Sequence, residues 1–141
     1  MLKGISFILV LSIMLTGCAQ APEPSTEITV EATDFAYTPA TITVLVGEPV
    51  TLTLQNTGRA EHDFIVDQIN VTDVEASDTG PAAHHQIGDT PEYDLHFFAN
   101  AGGTETLKFT ALEPGTYEIF CSVEGHKEAG MIGKLIVAAQ E

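Results

Sequence analysis

Short runs of alternating apolar and polar residues, separated by glycine and proline, constrain the fold of this chain more than any other feature. In residues 41–46 and again in residues 50–54, apolar side chains recur at every second position on either side of Gly47-Glu48-Pro49. A period of two places successive side chains on opposite faces of a strand, so that one face meets a core. Similar runs begin near six other residues: Ile28, His62, Leu95, Thr106, Tyr117 and Gly133.

These runs predict an all-β domain, a Greek-key β-sandwich of about seven to eight strands. The length of 141 residues suits one small domain, which we expect to span residues 28–141. An acidic segment at about 69–93 has no clear period and contains Gly80-Pro81 and Gly88. It is long for a loop in a small domain, so we expect an irregular flap insertion, in which a short helix is possible.

The loop between the last two predicted strands carries three side chains that bind soft metals. Cys121, His126 and Met131 are each separated by four residues, and a glycine directly precedes both His126 and Met131. A thiolate with imidazoles and a weak, distant thioether selects copper among the biological metals, in a trigonal arrangement that requires a second histidine. His62 is the best candidate, since it opens a strand directly after the turn-forming residues 56–61 and so starts at the same end of the sandwich as this loop.

In these residues the chain resembles the blue-copper proteins of the cupredoxin family, most closely auracyanins and other plastocyanin-like proteins. The resemblance covers residues 27–137 and implies one type 1 copper ion. By resemblance its ligands are His62, Cys121, His126 and Met131. Three strong ligands and a weak one leave no position for a substrate, so we expect no enzyme. The resemblance implies a carrier of single electrons between redox partners, such as a cytochrome or a membrane electron-transfer complex.

Two further positions are implied by the same resemblance. Relatives commonly have an Asn after the first His that is tied to the hydroxyl residue after the Cys; the matching residues here are Asp63 and Ser122. An Asp brings negative charge near the copper, and we expect it to favour Cu(II) and lower the reduction potential. Glu124 stands where relatives often carry a proline. The ring edge of His126 is expected near the surface, as the route for electrons.

The first residues are typical of an exported lipoprotein. Lys3 precedes an apolar run at 5–15 that is too short for a permanent membrane span, and Leu15-Thr16-Gly17-Cys18 resembles a prokaryotic lipobox. We therefore expect a signal peptide at 1–17, a lipidated Cys18, a tether at 18–27, and a domain anchored on the periplasmic or cell-surface side of a membrane. A plain signal peptide with an incidental cysteine is the alternative. With Cys18 lipidated, Cys121 has no disulfide partner within the chain.

The charge excludes some partners. The formal net charge is −15 at pH 7, and loss of Lys3 with the signal makes it one unit more negative. Nucleic acid is therefore not expected as a partner, whereas a basic protein surface would be attracted in a salt-dependent way. The domain is expected to act as a monomer.

Other functions remain open at this point. An extracytoplasmic copper-binding or delivery protein would use the same ligands, and a metal-free interaction module would leave the ligand spacing unexplained. A binuclear copper site would need a second loop cysteine, and Met131 disfavours zinc. The adjacent His84 and His85 are candidates for a second metal site but more typical of a solvated loop, and His96 is predicted to be structural.

Overall fold

Ten strands build two five-stranded sheets in the computed structural model, which describes residues 23–77 and 93–140. The strands are β1 Glu27–Thr33, β2 Ala36–Thr38, β3 Thr41–Leu45, β4 Pro49–Asn56, β5 His62–Val66, β6 Val71–Ala76, β7 Leu95–Ala99, β8 Thr104–Ala111, β9 Gly115–Phe120 and β10 Ile132–Ala138. Within the described ranges no helix is long and apolar enough to cross a membrane.

The first sheet has the order β2-β1-β4-β8-β6 and the second has the order β3-β10-β9-β5-β7. The pairs β1/β4 and β3/β10 are parallel, and the other paired strands are antiparallel. From β3 to β9, each strand lies in the sheet opposite that of the strand before it, whereas β1 pairs with β2 and β9 pairs with β10 within one sheet. The all-β sandwich predicted from the sequence is confirmed.

The core lies between the two sheets and follows from the period-two pattern. Buried and less buried positions alternate along β1 and β4, so their apolar side chains face the opposing sheet. Phe64, Phe97 and Phe109 are among the largest fully buried side chains and come from both sheets. Burial of each such side chain stabilises the fold by roughly 1.5–3 kcal/mol.

The structure has two more strands than the eight runs of the sequence indicate, namely β2 and β6. β2 has only three residues, too few to show a period. β6 lies inside the segment expected to be irregular, and most of its residues are exposed because it pairs only with β8 at the edge of the first sheet. A register shift between Thr72 and Glu75, with Asp73 at φ 54°, further removes any alternation.

Several predictions concern parts of the chain at or beyond the limits of the described residues. The signal peptide at 1–17, Cys18, and the flap histidines His84 and His85 all lie outside the described residues, as does the rest of 78–92. At the end of the expected tether, the backbone of Ser25 donates to Thr43 and that of Thr26 accepts from Thr51. Regular pairing with the domain therefore begins slightly before residue 28.

The side chains of Tyr37 and Asn56 make hydrogen bonds that join the sheets and the loop before β5, at the end where β5 begins. The hydroxyl of Tyr37, in β2, donates to the carbonyl of Asp63, in β5. Nδ2 of Asn56, at the end of β4, donates to the carbonyls of Ala60 and Ala99 at 2.8 and 2.7 Å. These bonds fix the loop that leads into β5 against both sheets.

Substitution Tyr37→Phe is expected to lower the free energy of unfolding of the metal-free protein by about 1–2 kcal/mol, because a buried carbonyl loses its side-chain donor. The measurement is urea unfolding followed by circular dichroism. Tyr117→Phe is the matched control: its hydroxyl donates to the Glu113 carbonyl at 3.3 Å in an exposed setting. The control is expected to change stability by less than about 0.5 kcal/mol, and equal losses in both variants would contradict a special role for the Tyr37 bond.

Candidate metal centre

The structure brings His62, Cys121 and His126 together as one buried cluster. One possible ligand atom from each lies within 4.8 Å of the others. Nδ1 of His126 is 3.5 Å from Sγ of Cys121, and the two histidine ring centroids are 5.0 Å apart. His62 opens β5, whereas Cys121 and His126 belong to the loop after β9. Residues far apart in the chain thus meet at one end of the sandwich.

Turn hydrogen bonds shape the loop from Cys121 to Met131. The backbone N–H of His126 donates to the carbonyl of Val123 at 3.0 Å, and that of Met131 donates to the carbonyl of His126 at 3.0 Å. The N–H of Cys121 in turn donates to the carbonyl of Met131 at 3.4 Å. Gly125 has a φ of 82°, a conformation that residues with side chains rarely adopt. The fully buried Met131, the fourth predicted ligand, is therefore held beside Cys121 and His126 through its backbone.

The burial, hydrogen bonding and protonation of the His62 ring are those expected of a metal ligand. Its side chain is fully buried, and neither ring nitrogen has a hydrogen-bond partner among the residues that the structure describes. Burial lowers the pKa of His62, and the neighbouring His126 lowers it further. The ring is therefore favoured in its neutral form, which is the form that binds metal ions.

Cys121 is buried and free, and its surroundings suit a metal-bound thiolate. Burial raises the pKa of the Cys121 thiol to about 11, so the thiol keeps its proton at neutral pH unless a cation displaces it. The backbone N–H of Asp63 donates to Sγ at 3.4 Å and would stabilise the thiolate. One thiolate with two imidazoles and a thioether is a donor set for copper.

Asp63 and Ser122 lie in direct contact. The hydroxyl and the backbone N–H of Ser122 donate to Oδ2 of Asp63 at 2.5 and 3.2 Å. His96, in β7, places Nε2 at 3.7 Å from Oδ1 of the same carboxylate. The Asp63 side chain is fully buried. Its hydrogen bonds therefore join the start of β5 to the loop after β9. His96 lies beside the same carboxylate.

Two residues of the β1–β2 turn contact the cluster, and sequence reasoning did not find them. Oδ1 of Asp34 is 3.8 Å from Nε2 of His62, and the ring of Phe35 meets that of His126 edge to face, with centroids 5.2 Å apart. The backbone N–H and then the side chain of Arg59 lower the pKa of Asp34. Phe35 adopts a φ of 70°. An Asp-Phe pair in a turn carries no signal of the distant loop that it will touch.

Comparisons with known proteins agree with this site. A family model described as a cupredoxin-like domain matches residues 5–137. Plastocyanin of Solanum crispum is 33% identical over 104 residues, which cover 73% of this chain and 88% of plastocyanin. A structure of dithionite-reduced auracyanin from the photosynthetic bacterium Roseiflexus castenholzii covers 82% of this chain and 99% of auracyanin, with a TM-score of 0.64 and 26% identity.

The copper-resistant cuproprotein CopI of Rubrivivax gelatinosus is also similar, with 35% identity over 101 residues. These residues are 72% of this chain but only 59% of that CopI. The chain therefore spans less than two thirds of the length of this relative.

Substitution Asp63→Asn is expected to raise the reduction potential of the copper-loaded protein. Loss of one negative charge this close to the site changes the balance between Cu(II) and Cu(I) by about 1–2 kcal/mol, or roughly 40–90 mV for one electron. The measurement is protein-film voltammetry at fixed pH. Asp67→Asn is the control, since Asp67 follows the other end of β5, roughly 16 Å away. A lowered potential, or equal shifts in both variants, would contradict the expectation.

The types of donor, their burial and the match over most of the sequence all indicate a copper site of the cupredoxin type. His62, Cys121, His126 and Met131 would hold one copper ion, as the resemblance implied. The chain belongs to the cupredoxin-like family.

Proposed function

We propose that this protein is a blue-copper electron carrier that passes single electrons between redox partners. The observation that carries the proposal is the buried cluster of His62, Cys121 and His126, whose possible ligand atoms lie within 4.8 Å of one another. Copper bound there would supply the one-electron chemistry between Cu(I) and Cu(II). The protein supplies a ligand arrangement that its own hydrogen bonds maintain.

Preorganised ligands favour electron transfer because little has to move when the charge of the site changes. Ser122 holds the Asp63 carboxylate, and Tyr37 holds the Asp63 carbonyl from the opposite sheet. The neighbouring ligands His62 and Cys121 are thereby fixed from two directions. All four predicted ligands are buried, which leaves little access for a substrate, so we propose that the protein is not an enzyme.

The route for electrons is proposed to run through the ring of His126. His126 is only 8% exposed, and Phe35, whose ring packs against that of His126, is 47% exposed. Phe35 therefore presents an apolar surface directly over a ligand, where a partner can approach without binding to the metal. Ile132, which follows Met131, is exposed to a similar extent. A small apolar contact area favours brief encounters, as an electron carrier requires.

The partner is proposed to be a redox protein, either a cytochrome or a membrane electron-transfer complex. A net charge of −15 favours a partner with a basic surface and a rate of association that falls with salt.

We further propose an extracytoplasmic monomer anchored to the membrane through lipidated Cys18. The apolar run at 5–15 and the Leu15-Thr16-Gly17-Cys18 sequence support this location.

An alternative is copper binding or delivery in copper resistance. It is favoured by the similarity to CopI, whose name describes a copper-resistant cuproprotein. Such a role would use the same ligands but would require the protein to release the metal. The two roles therefore differ in the relative rates of electron exchange and copper release.

The first test compares these two rates. We expect the mixed Cu(I) and Cu(II) forms to exchange electrons in milliseconds to seconds, as seen by NMR line broadening and magnetisation transfer. High salt in the sample screens the repulsion between like-charged molecules. Transfer of copper to a competing chelator is expected to be at least 100-fold slower, because the buried ligands must first separate. Copper release that outpaces electron exchange would contradict the carrier and favour delivery.

Substitution Phe35→Ala is expected to slow electron exchange about ten-fold by removing the contact surface over His126, with little change in reduction potential. The control is Leu112→Ala, which removes a side chain of similar exposure, 44%, just after β8 and before β9 begins. Because β9 runs towards the cluster, Leu112 lies at the opposite end of the sandwich. Equal rates for Phe35→Ala and the unmodified protein would contradict this route.

A further inference from the structure

The carboxylate of Asp34 lies against the outer side of a predicted copper ligand. Its Oδ1 is 3.8 Å from Nε2 of His62. The Asp34 side chain is 30% exposed, whereas the His62 side chain is fully buried. The Asp34 carboxylate, which water can reach, thus faces the His62 ring, which water cannot reach.

Arg59 fixes this carboxylate at both oxygens. The backbone N–H of Arg59 donates to Oδ1 at 2.9 Å, and its Nε donates to Oδ2 at 3.0 Å. The Arg59 side chain is 93% exposed, so its ion pair alone adds little to stability. The bond from the backbone is the one that positions the carboxylate, because it joins the β1–β2 turn to the turn before β5.

Gly58 leaves the space in which these groups approach each other. A Cβ atom at this position would lie 2.6 Å from Nε2 of His62 and 2.8 Å from Oδ1 of Asp34. It would also lie 3.2 Å from Oδ1 of Asn56, which accepts a hydrogen bond from the Gly58 N–H. A side chain at residue 58 would therefore clash with both Asp34 and His62 and force them apart.

We propose that Asp34 is a positioning residue for the copper ligand His62: its carboxylate holds the proton on Nε2, so that Nδ1 is the nitrogen presented to the metal. Metal-bound histidines almost always donate their other ring N–H to a carboxylate, a carbonyl or water. The separation of 3.8 Å exceeds a hydrogen bond. The proposed contact therefore requires the two groups to approach by about 1 Å, or one water to bridge them.

The charge of Asp34 gives this contact a second consequence. A negative charge beside a ligand stabilises the oxidised site more than the reduced site, because the oxidised site carries one more positive charge. Asp34 therefore lowers the reduction potential. This inference deepens the proposed electron-transfer role and rests on it.

The test measures reduction potential and Cu(II) affinity in the copper-loaded full chain and in Asp34→Asn. We expect Asp34→Asn to weaken Cu(II) binding relative to Cu(I) about ten-fold, which corresponds to a potential about 59 mV higher. Glu31→Gln is the matched control: it makes the same change from acid to amide in β1, and Oε1 of Glu31 accepts a hydrogen bond from Thr57 in an exposed setting. The control is expected to change the affinity ratio less than two-fold.

A second measurement uses the metal-free protein and needs no variant. Long-range ¹H–¹⁵N NMR reports which ring nitrogen of His62 carries the proton, and we expect Nε2. A proton on Nδ1, or equal shifts of potential in Asp34→Asn and Glu31→Gln, would overturn the role of Asp34. An unmodified chain that binds copper without exchanging electrons would instead refute the proposed function.

Discussion

The arrangement of the site depends on one residue, Asp63, which uses three of its groups at once. Its backbone N–H donates to Sγ of Cys121, its carbonyl accepts from Tyr37, and its carboxylate accepts from Ser122. The first bond reaches a ligand, the second reaches the opposite sheet, and the third reaches the ligand loop. Because Asp63 is fully buried, loss of any of these bonds would weaken the hydrogen bonding of a polar group that water does not reach. The two segments that carry the ligands, the start of β5 and the loop after β9, are therefore hydrogen-bonded to each other and to the opposite sheet.

These hydrogen bonds of Asp63 account for the position of the ligands in the metal-free chain. Burial raises the pKa of the Cys121 thiol and lowers the pKa of His62, so it favours the uncharged form of both donors. The loop after β9 is held by its own turn hydrogen bonds, and the turn before β5 is held by Asn56. Metal binding then exchanges a thiol proton for a cation within a frame that already exists. A frame of this kind resists change in either oxidation state, which is the physical requirement for fast electron exchange.

The sequence predicted the sandwich, most of its strands and the chemical identity of the metal, because these depend on local patterns and residue types. Period-two alternation marks eight strands, whereas β2 is too short and β6 too exposed and irregular to show it. The contacts of Asp34, Phe35 and Tyr37 with the site were not predictable. They depend on which turns meet when two sheets pack, and neither Asp34-Phe35 nor Tyr37 differs in type from ordinary turn and core residues.

The most direct test of the account is the visible absorption spectrum of the purified chain after addition of one equivalent of Cu(II), beside the same measurement on Cys121→Ser. We predict an intense band at the red end of the spectrum, which arises from the copper–thiolate bond, is bleached reversibly by ascorbate, and is absent from the variant. A colourless protein that binds Cu(II) only weakly, or a spectrum that Cys121→Ser leaves unchanged, would contradict the blue-copper site.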